Sequence, residues 1–173
     1  MPGTPHHALG SPWLTGAVAT LLAAAATAAP IALRSRSELR PFVVGGALAY
    51  ATVFVSLWAL VPAVFWRFAT DPTEWGPFAV GVIAAGFVVF ALQAAVAVYL
   101  YVGWRLKLPL GCLFVVSWIA AALFFRVGGE SGPLFSLLLW TVTLGPAAVL
   151  GTLLLGGLEV GARRLSDRFA TAK

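Results

Sequence analysis

The chain has 173 residues, of which 61% are hydrophobic and only 10% are charged, and its formal net charge is +5 at pH 7. Soluble domains carry about 25% charged and about 45–50% apolar residues, so the composition excludes a soluble globular domain. It also excludes a disordered chain and a disulfide-rich secreted scaffold, because Cys112 is the only cysteine. The composition therefore predicts an integral membrane protein, and we expect one transmembrane domain over residues 1–173.

Five uncharged stretches are long enough, or nearly so, to cross about 30 Å of hydrocarbon, which takes a helix about 20 residues. In chain order they are residues 13–33, 42–66, 78–104, 108–125 and 134–158. None alternates polar and apolar residues as a barrel strand does. Because a helix satisfies its backbone hydrogen bonds within one segment, lipid favours helices here. We predict an all-α bundle of five transmembrane helices with a basic tail at residues 159–173.

The basic residues lie mainly on one side of this arrangement. Of the 11 Lys and Arg residues, only Arg67 and Arg126 share a side with the N-terminal tail. Short loops rich in Lys and Arg stay in the cytoplasm. The pattern predicts an outside N-terminus and a cytoplasmic C-terminus in a plasma membrane. The excess of Arg over Lys, with much Ala, Val and Gly, indicates a prokaryotic source.

Ionisable side chains are missing from the middle of every predicted span. Intramembrane proteolysis needs paired Asp, a Ser–His couple or a metal-binding helix, and a haem cytochrome needs axial ligands at depth. A proton-coupled exporter needs a carboxylate within the membrane. The only histidines, His6 and His7, lie in the N-terminal tail. We therefore expect no catalytic residues, no metal site and no cofactor, and a protein that is not an enzyme.

An aromatic layer is predicted toward the outer surface. Trp58, Trp118 and Trp140 lie on three different helices, each roughly 10–12 Å below that surface. Phe90 lies at a comparable or slightly greater depth, and Gln93 is the only deep amide. These five residues either bind a hydrophobic ligand, such as a tetrapyrrole, quinone, sterol-like lipid or carotenoid, or simply pack the core. Gln93 then binds the ligand in the first case and hydrogen-bonds a neighbouring helix in the second.

A stripe of small residues follows the fifth predicted helix. Its members recur every three or four residues, which places them on one helical face: Thr141, Gly145, Ala148, Thr152 and Gly156. Small residues let helix backbones approach closely. The stripe either packs inside the bundle or forms a seam for a second copy or a partner membrane subunit.

The predicted cytoplasmic face suits contact with anionic lipid. Six arginines are expected there: Arg34, Arg36, Arg40, Arg163, Arg164 and Arg168. The tail also has an apolar face formed by Leu158, Ala162, Leu165 and Phe169, as in an amphipathic helix on an anionic leaflet. Glu159 is expected to pair with Arg163 four residues further on. Topology accounts for so many of the basic residues that we expect no nucleic-acid binding.

A small, Trp-rich, five-helix membrane protein is similar in architecture to the tryptophan-rich sensory protein (translocator protein) family, whose members bind porphyrins and sterols. That family implies a Trp-Tyr motif ending near Lys-Pro after the first span and Asn-containing Trp motifs later. This chain has Arg34–Pro41 after the first span and no Asn. The similarity is one of helix count, and we assign no family from the sequence.

The sequence thus predicts a multi-pass membrane protein, most simply a non-enzymatic accessory or scaffold subunit with a basic cytoplasmic face. The alternative is a binder or transporter of a hydrophobic small molecule through an outer-leaflet aromatic pocket. Convergence of the three deep tryptophans on one cavity would favour the binder. An exposed seam of small residues on the fifth helix would favour the scaffold.

Overall fold

The computed structural model describes residues 6–33, 39–65, 76–127 and 133–171. Six α-helices are present in these ranges: α1 (Pro12–Leu33), α2 (Leu39–Phe65), α3 (Gly76–Trp104), α4 (Leu108–Phe124), α5 (Pro133–Leu139) and α6 (Gly145–Thr171). A π-helical turn, Trp140–Leu144, joins α5 to α6 without a break, so the two helices form one continuous rod. Two short strands, β1 (His6–His7) and β2 (Arg126–Val127), pair antiparallel.

Four of the helical rods are long and apolar enough to cross a membrane: Pro12–Ala32, Leu39–Val64, Gly76–Trp104 and Leu134–Phe169. The fifth, α4, has 17 residues and is therefore about 25 Å long, slightly less than about 30 Å of hydrocarbon. The predicted all-helical fold is confirmed, and the four long apolar helices are compatible with a membrane bundle. A crossing by α4 stays a prediction.

Successive helices run in opposite directions. Pairing of β1 with β2 places the start of α1 beside the end of α4, and we call this side of the bundle the strand end. Residues 105–107 join α3 to α4 in a short turn, which defines the turn end. There the backbone N–H of Leu108 donates to Glu159 of α6 at 2.8 Å. The beginnings and ends of the helices therefore alternate between the two ends.

The bundle consists of two helix pairs and the last helix, α6, which packs against one helix of each pair. α1 packs along α4, α2 packs along α3, and α6 packs against both α3 and α4. Across the described residues, α1 and α2 do not pack along each other. The core between the pairs is aromatic, and its largest buried side chains include Trp140, Phe54 and Phe90. A lateral gap between α1 and α2 follows from this arrangement.

The π turn has a local cause in Pro146. Proline has no N–H, so the carbonyl of Val142, four residues earlier, loses its usual helical donor. Just before it, the backbone N–H of Gly145 bonds the carbonyl of Trp140, five residues back, rather than the carbonyl of Thr141 four residues back. The helix widens for one turn and continues, which keeps the indole of Trp140 buried in the core.

Candidate functional site

Part of the predicted aromatic layer forms a packed core. The rings of Phe90 and Trp140 stack with their centroids 5.3 Å apart and their planes at 11°. Phe90 also stacks on Phe54, again at 5.3 Å. Trp58 belongs to the same buried core and is 2% exposed. These rings contact one another and pack the space between the helices.

Trp118 lies elsewhere, at the boundary of α1 and α4. Its side chain is 39% exposed, and its indole Nε1 donates to Oγ1 of Thr20 at 3.2 Å. It lines a smaller cleft of about 380 Å³ with His7 and Arg126 at the strand end. The physical reason is helical phase: Ser117 faces the core, and the next residue is turned about 100° away from it. Among the described residues, Trp58 and Trp140 therefore lie in the core, whereas Trp118 lines a separate cleft.

Gln93 belongs to a buried hydrogen-bonded chain that joins three helices. Its Nε2 donates to Oη of Tyr50 at 3.0 Å, and Tyr50 Oη lies 2.9 Å from Oγ of Ser117. Ser117 Oγ donates to the carbonyl of Leu113 at 2.6 Å. Because the Ser117 hydroxyl has a single proton, Tyr50 must be the donor between the two hydroxyls. The donors and acceptors therefore all point the same way, from Gln93 through Tyr50 and Ser117 to the backbone of α4.

Sequence analysis missed Tyr50 and Ser117. A tyrosine in a membrane span is easily assigned to the aromatic belt at the bilayer surface. Tyr50, however, comes 11 residues after Leu39, where α2 begins, which places it about 16 Å along the helix and too deep for a belt position. That depth, close to the depth of Gln93 on α3, was the available signal. Within the described residues, Oε1 of Gln93 is buried and has no hydrogen-bond partner.

A lateral groove of about 880 Å³ lies between α1 and α2. Its two walls carry small residues: Ala25, Ala26 and Ala29 of α1, and Gly45, Gly46 and Ala49 of α2. Its floor is made by buried side chains of three helices: Tyr50, Phe54, Ala94, Val98 and Leu113. The groove exists because small side chains cannot fill the gap that α1 and α2 leave while each packs against another helix.

The chemistry of the groove is apolar. None of its described lining residues carries a charge, and the one aromatic hydroxyl among them, that of Tyr50, is bonded to Gln93 and Ser117, which do not line the groove. Ala25, Ala29 and Gly46 are exposed, so the groove opens sideways from the bundle. The geometry can hold an apolar chain or ring.

The small-residue stripe, which runs from Thr141 through the π turn into α6, packs inside the chain. A Cβ on Gly145 would collide with Cγ1 of Val89 on α3, and one on Gly156 would lie 3.1 Å from Cδ1 of Leu100. Thr152 is 1% exposed and its hydroxyl lies 3.3 Å from Sγ of Cys112 on α4. The helices α3 and α4 thus cover the face that sequence analysis also considered as an oligomer seam.

Another part of the same stripe meets α3 nearer the strand end. A Cβ on Gly86 would lie 3.1 Å from Oγ1 of Thr141, so the two backbones approach closely there. Ala148 is 8% exposed and also belongs to the interior. The stripe as a whole supports close packing within one chain.

At the turn end, Glu159 fastens α6 to the α3–α4 turn. The rod Leu134–Phe169 has 36 residues and is about 54 Å long, so Glu159 lies beyond about 30 Å of hydrocarbon. Its carboxylate accepts from Leu108 N–H and pairs with Arg163 Nη2 at 2.6 Å, as predicted. Partial burial raises the pKa of Glu159, but the backbone N–H groups of Leu108 and Lys107 and the Arg163 guanidinium outweigh it, so the pKa lies below its ordinary value.

The predicted anionic-lipid residues have different environments. Arg163 Nη2 also donates to the carbonyl of Arg105 at 2.7 Å, so this guanidinium is engaged inside the chain. Arg40, Arg164 and Arg168 are exposed at the turn end. Arg34 and Arg36 lie outside the described residues.

The last turns of α6 extend beyond the bundle. Residues 161–169 are all exposed, and the apolar side of this segment is open, with Leu165 56% and Phe169 74% exposed. The helix runs unbroken from Gly145 to Thr171. An amphipathic tail lying flat on the membrane would need a bend, and the described helix continues along its axis instead.

Comparison of the chain with protein-family models, with curated proteins and with solved structures finds no match.

Proposed function

We propose that this membrane protein is a non-enzymatic binder that holds an apolar ligand in the lateral groove between α1 and α2. The observation that supports the proposal is the groove itself, about 880 Å³ in volume, with small residues on both walls and a floor of buried side chains. Ligand sites are concave, mostly apolar and about 300–1,000 Å³ in volume. This site differs from the aromatic pocket expected from the sequence, since the tryptophans pack elsewhere.

The position of the groove explains how a ligand reaches it. In a bilayer the solvent around α1 and α2 is hydrocarbon, and a sideways opening admits a molecule that is already dissolved there. The open wall residues Ala25, Ala29 and Gly46 would contact such a molecule without losing any hydrogen bond. Binding would come from close packing against small side chains, as between membrane helices.

Native mass spectrometry of the mildly extracted protein tests this proposal. Gly46→Leu adds a branched side chain to the groove wall, where a Cβ meets nothing within 4 Å. Gly81→Leu is the matched control, because Gly81 is also an exposed helical glycine with nothing within 4 Å and does not line the groove. Wild type and Gly81→Leu should retain a bound small molecule, and Gly46→Leu should lose most of it.

Equal retention of the molecule by both glycine variants would contradict the proposal, because the groove would then not be where it binds. A bare wild-type chain that retains no small molecule would contradict it as well.

An accessory or scaffold subunit is the second candidate function. The observation that favours it is the extension of α6 past the bundle, with the apolar side chains of Leu158, Leu165 and Phe169 exposed beside the basic Arg164 and Arg168. Such a segment suits an acidic partner or a partner membrane subunit. Truncation after Gly161 would abolish co-purification of a partner subunit and leave ligand retention unchanged, which separates the two functions.

We place the protein in the plasma membrane of a prokaryote, with five crossings, the N-terminus outside and the turn end in the cytoplasm. The support is the distribution of charge: Arg40, Arg105, Lys107, Arg164 and Arg168 are at the turn end. Arg126 lies at the strand end. The positive-inside rule assigns the basic side to the cytoplasm.

A further inference from the structure

The groove has a direction within the membrane. Its lining on α2 runs from Pro41, near the turn end, to Phe54, which is about 20 Å along the helix. Its lining on α1 ends at Pro30, also toward the turn end. One leaflet contributes about 15 Å of hydrocarbon, half of the bilayer core. The groove therefore extends inward from the turn end through about the depth of one leaflet.

A basic residue directly precedes the groove's lining on α2. Arg40 directly precedes Pro41, it is exposed, and among the described residues it has no ion-pair or hydrogen-bond partner. Arg163, at the same end, is already bonded to Glu159 and to the carbonyl of Arg105. An arginine guanidinium binds a phosphate group through two parallel hydrogen bonds. Among the described residues, Arg40 thus offers an exposed phosphate-binding group next to the turn-end limit of the groove lining.

The interior of the groove restricts the class of ligand further. None of its described lining residues is charged, and the Tyr50 hydroxyl donates its proton to Ser117 and accepts from Gln93. A ligand with polar groups along its length, such as a quinone or a tetrapyrrole, would leave those groups unpaired at a cost of about 1–3 kcal/mol each. A ligand that is apolar in the groove and polar only at the turn end avoids that cost.

We infer that the ligand is an anionic phospholipid of the leaflet at the turn end, with an acyl chain in the groove and its phosphate on Arg40. This inference rests on the proposed function and adds the chemical class of the ligand to it. The juxtaposition that carries it is a groove of one-leaflet depth whose described lining is uncharged and whose α2 lining begins directly after the exposed Arg40.

The test measures lipid selectivity in detergent micelles that contain equal amounts of phosphatidylglycerol and phosphatidylcholine. Native mass spectrometry reports how many molecules of each lipid remain on the intact full-length chain. Wild type should prefer phosphatidylglycerol, and Arg40→Gln should reduce that preference about fivefold, the effect expected for one arginine at an anionic surface. Arg168→Gln is the control, because it removes a basic residue at the same end that does not adjoin the groove.

The variants test separately whether a lipid binds in the groove and whether its phosphate binds Arg40. Loss of the preference in Arg40→Gln alone, with lipid still bound, supports the inference. An unchanged preference in Arg40→Gln, or an equal loss in Arg168→Gln, overturns the headgroup assignment, and the groove proposal survives if Gly46→Leu still removes bound lipid. Retention of all lipid by Gly46→Leu overturns the groove proposal as well. A discrete dimer mass in place of lipid would assign the groove to a second copy of the chain and overturn both.

Discussion

At the scale of single residues, the buried polar chain from Gln93 to Ser117 is the feature that connects three helices. Each member is within hydrogen-bond distance of the next, and all three side chains are less than a tenth exposed. A buried polar group that loses its partner costs about 1–3 kcal/mol, while interhelical hydrogen bonds in membranes average only about 0.6 kcal/mol. These hydrogen bonds therefore act mainly by fixing how α2, α3 and α4 pack against one another.

Tyr50→Phe tests this account. We expect it to lower the free energy of unfolding by roughly 1–2 kcal/mol, because Gln93 Nε2 loses its acceptor and Ser117 loses its donor. Gln93→Leu removes the other end of the same contact, so the Tyr50→Phe, Gln93→Leu double variant should cost clearly less than the sum of the two. Denaturant titration in detergent measures all three. Additive costs would show that the two residues act independently.

Gly145→Ala tests the close approach of α6 to α3. The added Cβ would collide with Val89 Cγ1 and would lie 2.9 Å from the backbone oxygen of Trp140. Overpacking of this kind costs about 1–3 kcal/mol, and we expect a loss of thermal stability in that range. The matched control is Gly151→Ala on the same helix, where nothing lies within 4 Å and stability should rise by up to about 1 kcal/mol. Equal behaviour of the two variants would contradict the described packing.

Sequence analysis could predict Gln93 as an important residue but not its partners. A lone amide in an apolar span must find a hydrogen bond, which the residue type and depth already imply. The identity of the partner depends on the rotation of α2 and α4 about their axes, which apolar stretches without a polar face do not specify. The same uncertainty in helix rotation explains why Trp118 was grouped with Trp58 and Trp140.

At the scale of the elements, the long final helix has two special features, a π turn in its middle and an attachment to α4 near its end. Its π turn near Pro146 accommodates a missing backbone donor, and its end beyond the bundle is fastened by Glu159 to the start of α4. The Glu159–Arg163 pair was predictable from the spacing of four residues. The second contact, from Glu159 to the Leu108 N–H, was not, because it depends on the arrangement of helices that are distant in sequence.

Glu159→Gln tests the second attachment through its pH dependence. The pKa of Glu159 is lowered in the folded chain, so its contribution to stability is present above its ordinary value of 4.5 and is lost as pH falls through the lowered pKa. At pH 7 we expect Glu159→Gln to melt at a lower temperature than wild type. The difference should shrink toward zero in acid, as the pH falls well below 4.5 and through the lowered pKa and the wild-type carboxyl becomes protonated. Melting curves of both proteins at pH 7 and in acid decide the matter, and a difference that does not change with pH would contradict the attachment.

The shortness of α4 is an element-scale feature that the sequence did indicate. The fourth apolar stretch is the shortest of the five, and the structure begins the helix after Lys107 and ends it at Phe124. Pro109 near its start suits the first turn of a helix, where the missing N–H would be unpaired in any case.

At the scale of the whole molecule, the number of crossings decides where the termini lie. Four of the helical rods are of span length, and α4 is packed between α1, α3 and α6. Five crossings place the two termini on opposite sides of the membrane. If α4 did not cross, the termini would lie on the same side.

Single-cysteine labelling of intact cells tests the five-crossing topology. The natural Cys112 is first replaced by Ala, and a cysteine is then placed at position 6, at the strand end, or at position 168, at the turn end. A membrane-impermeant maleimide should label the strand-end cysteine and should leave the turn-end cysteine unlabelled until the cells are lysed. Labelling of both cysteines in intact cells, or of neither, would contradict the proposed topology.

The groove is the part of the molecule that composition could not reveal. The Ala-rich first span and the paired glycines Gly45 and Gly46 are visible in the sequence, yet small residues equally favour close helix packing. Whether these small residues form a helix contact or a groove depends on whether α1 and α2 pack against each other or against other helices. In the structure α1 packs on α4 and α2 packs on α3, so the small faces are left on either side of a gap.

Photo-crosslinking with a lipid that carries a photoreactive acyl chain tests the central claim most directly. Incorporated into membranes that contain the wild-type protein, such a lipid should label peptides from Leu22–Pro30 of α1 and Pro41–Phe54 of α2, which line the groove. Gly46→Leu should suppress this labelling, and Gly81→Leu should not. Labelling spread evenly over the outer faces of all the helices, unchanged by Gly46→Leu, would contradict a specific apolar site between α1 and α2.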